Sequence, residues 1–323
     1  MNTRKFRAAA SAAIPLMMLV SGAAMAQNFG PWGNPLPVAA VNMPASAEGC
    51  PIESQDGLSL YIASNRAGGS GKLDIWRSHR ASSASSWGLP QNVGATVNTN
   101  EFDYCPTPLQ GKWLMFVTSK NTQADGDPLN DDCLPGPEAL PPPGSPAPGD
   151  IFLSQENPSH GWTRPLHLGC YPNGPNTAGY EFSPSLVNTA QGTVLFFSSN
   201  GYPNSQRHDI YASRVLANGT VTAGVRVAEL STPADDRMPN VRKDGLEIVF
   251  SSTRQGNMDI YVAKRASTSM PWNMPQRIAN PEINTAASET RASLSGDGTR
   301  LYFGRKLNLD DPGDVFVSAR RKN

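Results

Sequence analysis

The stretch Asp244-Gly-Leu-Glu-Ile-Val-Phe-Ser-Ser-Thr-Arg-Gln-Gly-Asn-Met-Asp-Ile-Tyr261 opens on a turn dipeptide and continues as a run of β-formers. The run ends in small hydroxyl residues and an arginine, then crosses a short polar loop to Asp-Ile-Tyr. A turn signal followed by two β-rich runs reads as a pair of antiparallel strands.

The same pattern occurs five times. Unit one has Asp56-Gly57, Leu60-Tyr-Ile-Ala-Ser-Asn-Arg66 and Asp74-Ile-Trp76. Unit two has Gln110-Gly111, Leu114-Met-Phe-Val-Thr-Ser-Lys120 and Asp150-Ile-Phe152. Unit three has Gln191-Gly192, Val194-Leu-Phe-Phe-Ser-Ser-Asn200 and Asp209-Ile-Tyr211. The opening stretch is unit four, and unit five has Asp297-Gly298, Leu301-Tyr-Phe-Gly-Arg305 and Asp314-Val-Phe316. Four of the separations from turn glycine to aspartate agree closely. The second is more than doubled, which places an insertion at 121–149.

Two further features recur. Upstream of each turn stands an acidic residue, usually with a proline: Glu48 and Pro51, Glu101 and Pro106, Glu181 and Pro184, Asp236 and Pro239, with Glu289 and Ala292 in the fifth unit. Downstream come Trp-x-x-Pro, a short β segment and Asn-Thr, as at Trp87, Pro90 and Asn98-Thr99. Each unit therefore predicts four short antiparallel strands, a to d, which is one propeller blade. The last unit stops after its third strand. The missing Trp-x-x-Pro appears at the other end as Trp32 and Pro35. The expected fold is all-β: a five-bladed propeller over 27–323, its ring closed by an N-terminal strand that completes the last blade and removes exposed edges.

The pattern Glu-x-x-Pro, Asp-Gly, Leu-Tyr-Phe-Ser-Ser-x-Arg and Asp-Ile-Tyr resembles the WD40-like β-propeller repeat family of bacterial exported proteins, which includes the propeller domain of the Tol translocation protein. The resemblance covers nearly all of the chain after the leader. It implies an exported propeller, without a counterpart of the small α/β domain that precedes the Tol propeller.

Composition agrees with export. Arg4, Lys5 and Arg7, the apolar run from Ala8 to Val20 and Ala24-Met-Ala26 read as a cleaved signal peptide over 1–26. The 323 residues hold 27 Lys+Arg against 27 Asp+Glu, so there is no electrostatic footprint for nucleic acid. No later stretch is long and apolar enough for a membrane span. The reading is a periplasmic or secreted monomer. The four cysteines favour disulfides in an oxidising compartment. Cys133 and Cys170 share unit two and one face, while Cys50 and Cys105 occupy matching slots in adjacent units. The expected pairs are Cys133–Cys170 and Cys50–Cys105.

In such a blade the b–c and d–a connections share one face, which carries the acidic residues, the insertion and the cysteines. Long loops at the channel mouth carry function. The candidate binding residues are Tyr104, Tyr171, Tyr180, Glu48, Glu101, Glu181 and Glu289. The acidic residues also have a structural reading, since a residue repeated in every blade usually does the same job in each. A catalytic reading would use them as acid and base. Arg66, Arg254 and Arg305 are expected to tie strand b to carboxylates, with Asp74, Asp209, Asp259 and Asp314 as candidates. Trp87, Trp162 and Trp272 are expected to pack between blades. In the insertion, Asp125, Asp127, Asn130, Asp131 and Asp132 cluster oxygen ligands suited to calcium, or else form a solvated acidic loop. No other cofactor is implied. The function expected is recognition of an envelope or extracellular protein or a glycan through the loop-rich face; the alternatives are a glycoside hydrolase and a structural envelope component.

Overall fold

In the computed structural model, residues 28–119, 133, 148–189, 191–205, 207–307 and 313–323 are described. They form five antiparallel sheets, each a meander of four strands. Blade 1 comprises Glu48–Glu53, Ser59–Ser64, Asp74–His79 and Gln91–Asn92, as strands a to d. Blade 2 comprises Asp103–Leu109, Trp113–Thr118, Asp150–Asn157 and Leu166–His167, with a short extra strand, Gly161–Trp162, on strand c. Blade 3 comprises Glu181–Thr189, Gly192–Ser199, Asp209–Val215 and Val225–Arg226. Blade 4 comprises Asp236–Val241, Glu247–Ser252, Asp259–Lys264 and Gln276–Arg277. Blade 5 comprises Ser288–Leu294, Arg300–Lys306 and Asp314–Ala319, and its fourth strand is Leu36–Pro37 from the N-terminal end. Leu36 lies opposite Val317 and Pro37 opposite Phe316, so the ring closes as the repeat count predicts.

The apolar core is divided among five clusters, one at each seam between blades. Leu195 and Phe197 of blade 3 meet Met115 and Ile151 of blade 2. Phe196 meets Phe250 and Tyr261 of blade 4. Val249 and Ile260 meet Leu301 and Phe303 of blade 5. Tyr302 and Val315 meet Leu60 and Trp76 of blade 1, and Tyr61 and Ile75 meet Leu114 and Phe116 of blade 2. Alternation along strands b and c sends successive side chains to opposite faces of the blade. Every sheet is therefore apolar on both faces.

Strand d is the shortest of the four and pairs over only two residues in every blade. Side chains do the remaining work. Asn98 accepts from Ile75 N and donates to Ile75 O, mimicking a strand against strand c. Asn176 does the same at Ile151, Asn284 at Ile260, and Asn42 at Val315. The tryptophans lie at the seams as expected. Trp272 sits edge-on to Phe196, and the Arg265 guanidinium lies 4.1 Å from its ring centroid. Arg80 covers Trp87 in the same way at 4.0 Å.

On the face of the Asp-Gly turns, two buried glutamates lock the last blade to its neighbours. Glu53 of blade 1 accepts both nitrogens of the Arg300 fork and the Tyr302 hydroxyl. Glu247 of blade 4 is held by Arg320, at 2.8 and 2.6 Å, and by Arg242. Glu247→Gln takes the counter-charge from the buried Arg320, while Arg242 keeps Asp244, so urea unfolding should show a loss of about 3 kcal/mol. Glu156→Gln breaks the partly exposed bridge to Arg77 and should cost no more than about 1 kcal/mol in the same assay.

Candidate functional site at the loop-rich face

Each blade has a carboxylate at the start of strand a on the loop-rich face, as its first residue in blades 1 to 4 and its second in blade 5. In blade 2 that residue is Asp103, not Glu101. Glu101 lies two residues earlier and pairs with the exposed Lys72 at 2.6 Å. The ring is Glu48, Asp103, Glu181, Asp236 and Glu289, and each is buried.

The corner before each strand a supplies the ring's hydrogen bonds. Thr99 caps Asp103, Thr177 caps Glu181, Thr232 caps Asp236 and Thr285 caps Glu289, each through its hydroxyl and its backbone N–H. Met43 N donates to Glu48 in blade 1. In three blades the strand-b arginine joins: Arg66 to Glu48 at 3.0 Å, Arg254 to Asp236 at 2.5 Å, and Arg305 to Glu289 at 2.9 Å. The arginines therefore hold strand a, not the aspartates that begin strand c. Those aspartates are taken by strand d: Asp74 by Asn92, Asp150 by His167, Asp209 by Arg226 and Asp259 by Arg277.

Blades 2 and 3 break this pattern. The arginine slot holds Lys120, outside the described residues, in blade 2 and Asn200 in blade 3. Among the described residues, no arginine reaches Asp103 or Glu181. Both are fully buried. Burial raises the Asp103 carboxyl to about 7, against hydrogen bonds from Thr99 and Thr118 that pull it down. Burial, then the nearby Asp150 charge, pushes the Glu181 carboxyl well above its usual range. Burial raises Glu48 and Glu289 as well, but there an arginine opposes it; at Asp103 and Glu181 no arginine among the described residues does.

An aromatic row lies beside them. Tyr104 and Phe182 hold the second position of their strands a, with ring centroids 5.7 Å apart. Tyr180 stacks on Phe182 at 6.2 Å, and His208 lies 5.2 Å from the same ring. His208 contacts Asp235 at 3.0 Å, and burial draws its pKa down. Tyr104 and Tyr180 thus meet on one side chain, as the sequence alone does not reveal. Tyr171 stands apart, edge-on to Tyr202, and is 45% exposed.

The Cys133–Cys170 disulfide is present, with Cα atoms 5.5 Å apart. It pins the blade 2 insertion to the connection that carries Tyr171. His167 Nε2 lies 3.7 Å from the Cys133 sulfur. That sulfur is oxidised, so the trio of Cys133, His167 and Cys170 offers no thiolate to a metal. The second expected disulfide is not formed: Cys50 and Cys105 are free, with sulfurs 2.9 Å apart. The calcium candidates Asp125, Asp127, Asn130, Asp131 and Asp132 lie outside the described residues. No helix among the described residues is long and apolar enough to cross a membrane.

No family model and no curated protein matches this chain. Among solved structures it is similar to an α-L-arabinofuranosidase from Podospora anserina, with 12% identity, a TM-score of 0.53, and 90% of this chain and 96% of that chain covered. It is similar to an endo-arabinase from Bacteroides thetaiotaomicron, with 13% identity, a TM-score of 0.52, and 89% and 97% covered. TolB from Acinetobacter baumannii aligns at 12% identity and a TM-score of 0.45, with 83% of this chain and 53% of that chain covered. At these identities the first two likenesses are likenesses of fold: a ring of five four-stranded blades.

The raised Asp103 pKa carries a sign. The folded state keeps a proton that the unfolded chain has lost between about pH 4 and 7. This contribution is complete below the unfolded pKa and disappears as pH rises through about 7. Between about pH 5 and 8 the wild-type chain should lose about 2–3 kcal/mol more stability than Asp103→Asn, whose side chain stays neutral. Urea unfolding at the two pH values checks this; equal losses would place Asp103 in the ordinary carboxylate range.

Proposed function

We propose that this chain is an exported binding module that recognises an envelope or extracellular protein or a glycan with the loop-rich face of blades 2 and 3. The observation that carries the reading is the anchored insertion. Cys133–Cys170 fastens a long loop to the connection bearing the exposed Tyr171. The aromatic row of Tyr104, Phe182 and Tyr180 lies in the same two blades. Aromatic side chains that are apolar in body and polar at the tip suit both protein and sugar surfaces. Export is supported by the leader-like first 26 residues, the disulfide, and the resemblance of the repeats to the WD40-like family of exported propellers. The other ring acids support binding over chemistry, because three of the five are already committed to arginines.

A second reading follows from the two that are not. Asp103 and Glu181 form an acidic, proton-retaining pair of sites in adjacent blades, which is the character a glycosidase acid needs. The solved structures of similar fold include arabinan- and arabinose-directed enzymes by name.

Replacing residues 121–147 with a Gly-Ser linker, together with Cys170→Ser, should abolish binding on a glycan array or in pull-downs from an envelope fraction. The melting transition should stay cooperative. A variant that keeps full binding sinks the insertion's role. Incubation of the wild-type chain with arabinan and arabinoxylan separates the readings. Reducing-sugar release that vanishes in both Asp103→Asn and Glu181→Gln establishes the hydrolase reading, and no release removes it.

A further inference from the structure

All five inner strands are interrupted by a bulge at the same place. Their registers shift between Gly49 and Ile52, Tyr104 and Thr107, Phe182 and Ser185, Arg237 and Asn240, and Thr290 and Ser293. The bulged residues are Cys50, Cys105, Ser183, Met238 and Arg291, and each has a positive φ between 49° and 61°. Non-glycine residues avoid this region, so its use at the same place in all five blades marks the bulge as part of the shared frame. Arg291 of blade 5 reaches Pro106 O and Thr107 Oγ1 of blade 2, a blade that is not its neighbour. The bulge residues therefore converge on the ring axis.

Just beyond the bulge, the inner strands are clasped to one another. Ser293 donates to Pro51 O, and Thr107 to Pro184 O. Ser185 accepts from Val241 N, and Asn240 accepts from Leu294 N. Four seams are closed in this way by a polar side chain. At the seam between blades 1 and 2 the equivalent residue is Ile52, which cannot make the bond. That seam is where the two free sulfurs meet, 2.9 Å apart.

The surroundings favour a sulfur anion. The Ser183 hydroxyl donates to the Cys105 sulfur at 3.3 Å. Arg291 is 1% exposed, and its Nε and Nη1 have no hydrogen-bond partner among the described residues. Burial opposes charge on Cys105, but the bond from Cys50, the Arg291 charge and Ser183 bring its thiol down to about 6. The same contact and burial push the Cys50 thiol up. Cys50 is only half-buried, and the space beside Gly49 is open.

We propose that Cys50 and Cys105 are a redox-active dithiol at the ring axis, which exchanges with low-molecular-weight disulfides and, once oxidised, clasps blades 1 and 2. The pair carries one proton between its two sulfurs. Cys50, on the open side, passes its proton to Cys105 and attacks one sulfur of R–S–S–R. The R–S bond breaks and one RS⁻ leaves. Cys105 gives its proton to that thiolate and attacks the Cys50 sulfur, expelling the second RS⁻. The products are the Cys50–Cys105 disulfide, one RSH and one RS⁻. Two electrons have passed from the protein dithiol to the small disulfide. This inference is independent of what the loop-rich face binds.

The test uses the full chain in glutathione mixtures of graded oxidised-to-reduced ratio, quenched with N-ethylmaleimide and mapped as tryptic peptides without reductant. A Cys50–Cys105 linked peptide should appear as oxidised glutathione rises and disappear when reduced glutathione is restored. Arg291→Met should slow its formation by about tenfold at neutral pH. Ile52→Thr, which restores a hydroxyl at the unclasped seam, should shrink the difference in melting temperature between the oxidised and reduced forms. Two cysteines that remain alkylatable at every ratio overturn the proposal. So does a linked peptide that no native-state reduction reverses, since that describes a fixed bond.

Discussion

The corner between one blade and the next carries the main constraint of this molecule. A carboxylate begins the inner strand, buried where its charge would be costly. The preceding threonine meets it with a hydroxyl and a backbone N–H. Where the arginine is present, its guanidinium spans the carboxylate and a carbonyl of the same corner, as Arg254 does with Leu230 O and Arg66 with Val41 O. One residue before the threonine, an asparagine or Ser231 grips the backbone of strand c. Buried polar groups are tolerated only when their hydrogen bonds are complete. The corner meets most of that condition with side chains, Asp103 Oδ1 in blade 2 being left without a partner among the described residues, and the outer strand needs only two paired residues. Packing at the seams then follows, because the corners fix how one sheet faces the next.

Repetition also explains where individuality resides. Four of the five inner clasps and three of the five arginine locks are built from the shared pattern. Departures gather in blades 1 to 3: Asn200 in an arginine slot, Ile52 in a clasp slot, the insertion fastened by Cys133, and cysteines at two bulges. Where the arginine slot changes, the ring acids Asp103 and Glu181 face no arginine among the described residues; across the axis, Arg291 of blade 5 keeps two idle donors. Chemistry and recognition have material to work with only where the frame does not consume it.

The architecture is legible in the chain because turn glycines and strand-c aspartates recur in register, and because Trp32 and Pro35 supply what the last unit lacks. The site is less legible. Glu101 resembles the ring acid, but it stands five residues before its proline where the other units have three. Strict spacing points to Asp103. The arginines do tie strand b to carboxylates, but to the ring acids; strand d reaches the candidate strand-c aspartates Asp74, Asp209 and Asp259 first, a competition that sequence order conceals. The axial residues can be read by taking the position before each proline across the units: Cys50, Cys105, Ser183 and Met238, with Arg291 before Ala292. What cannot be read is that a left-handed bulge turns all five toward one axis. Nor does the sequence show that Tyr104 and Tyr180 meet on Phe182, since that contact depends on how two separate blades are inclined.

The strand Leu36–Pro37 has its partner in Val317 and Phe316, almost the full length of the described chain away. It precedes every other strand of the ring, yet it has nothing to pair with until Asp314–Ala319 has been made. Pairings between such distant segments form slowly, and unpaired edges are exposed meanwhile. Blades 1 to 4 can assemble as they emerge, each resting on the one before. Blade 5 cannot. The moment the ring closes is set by the arrival of Asp314–Ala319, and until then the growing ring offers two open edges to its surroundings.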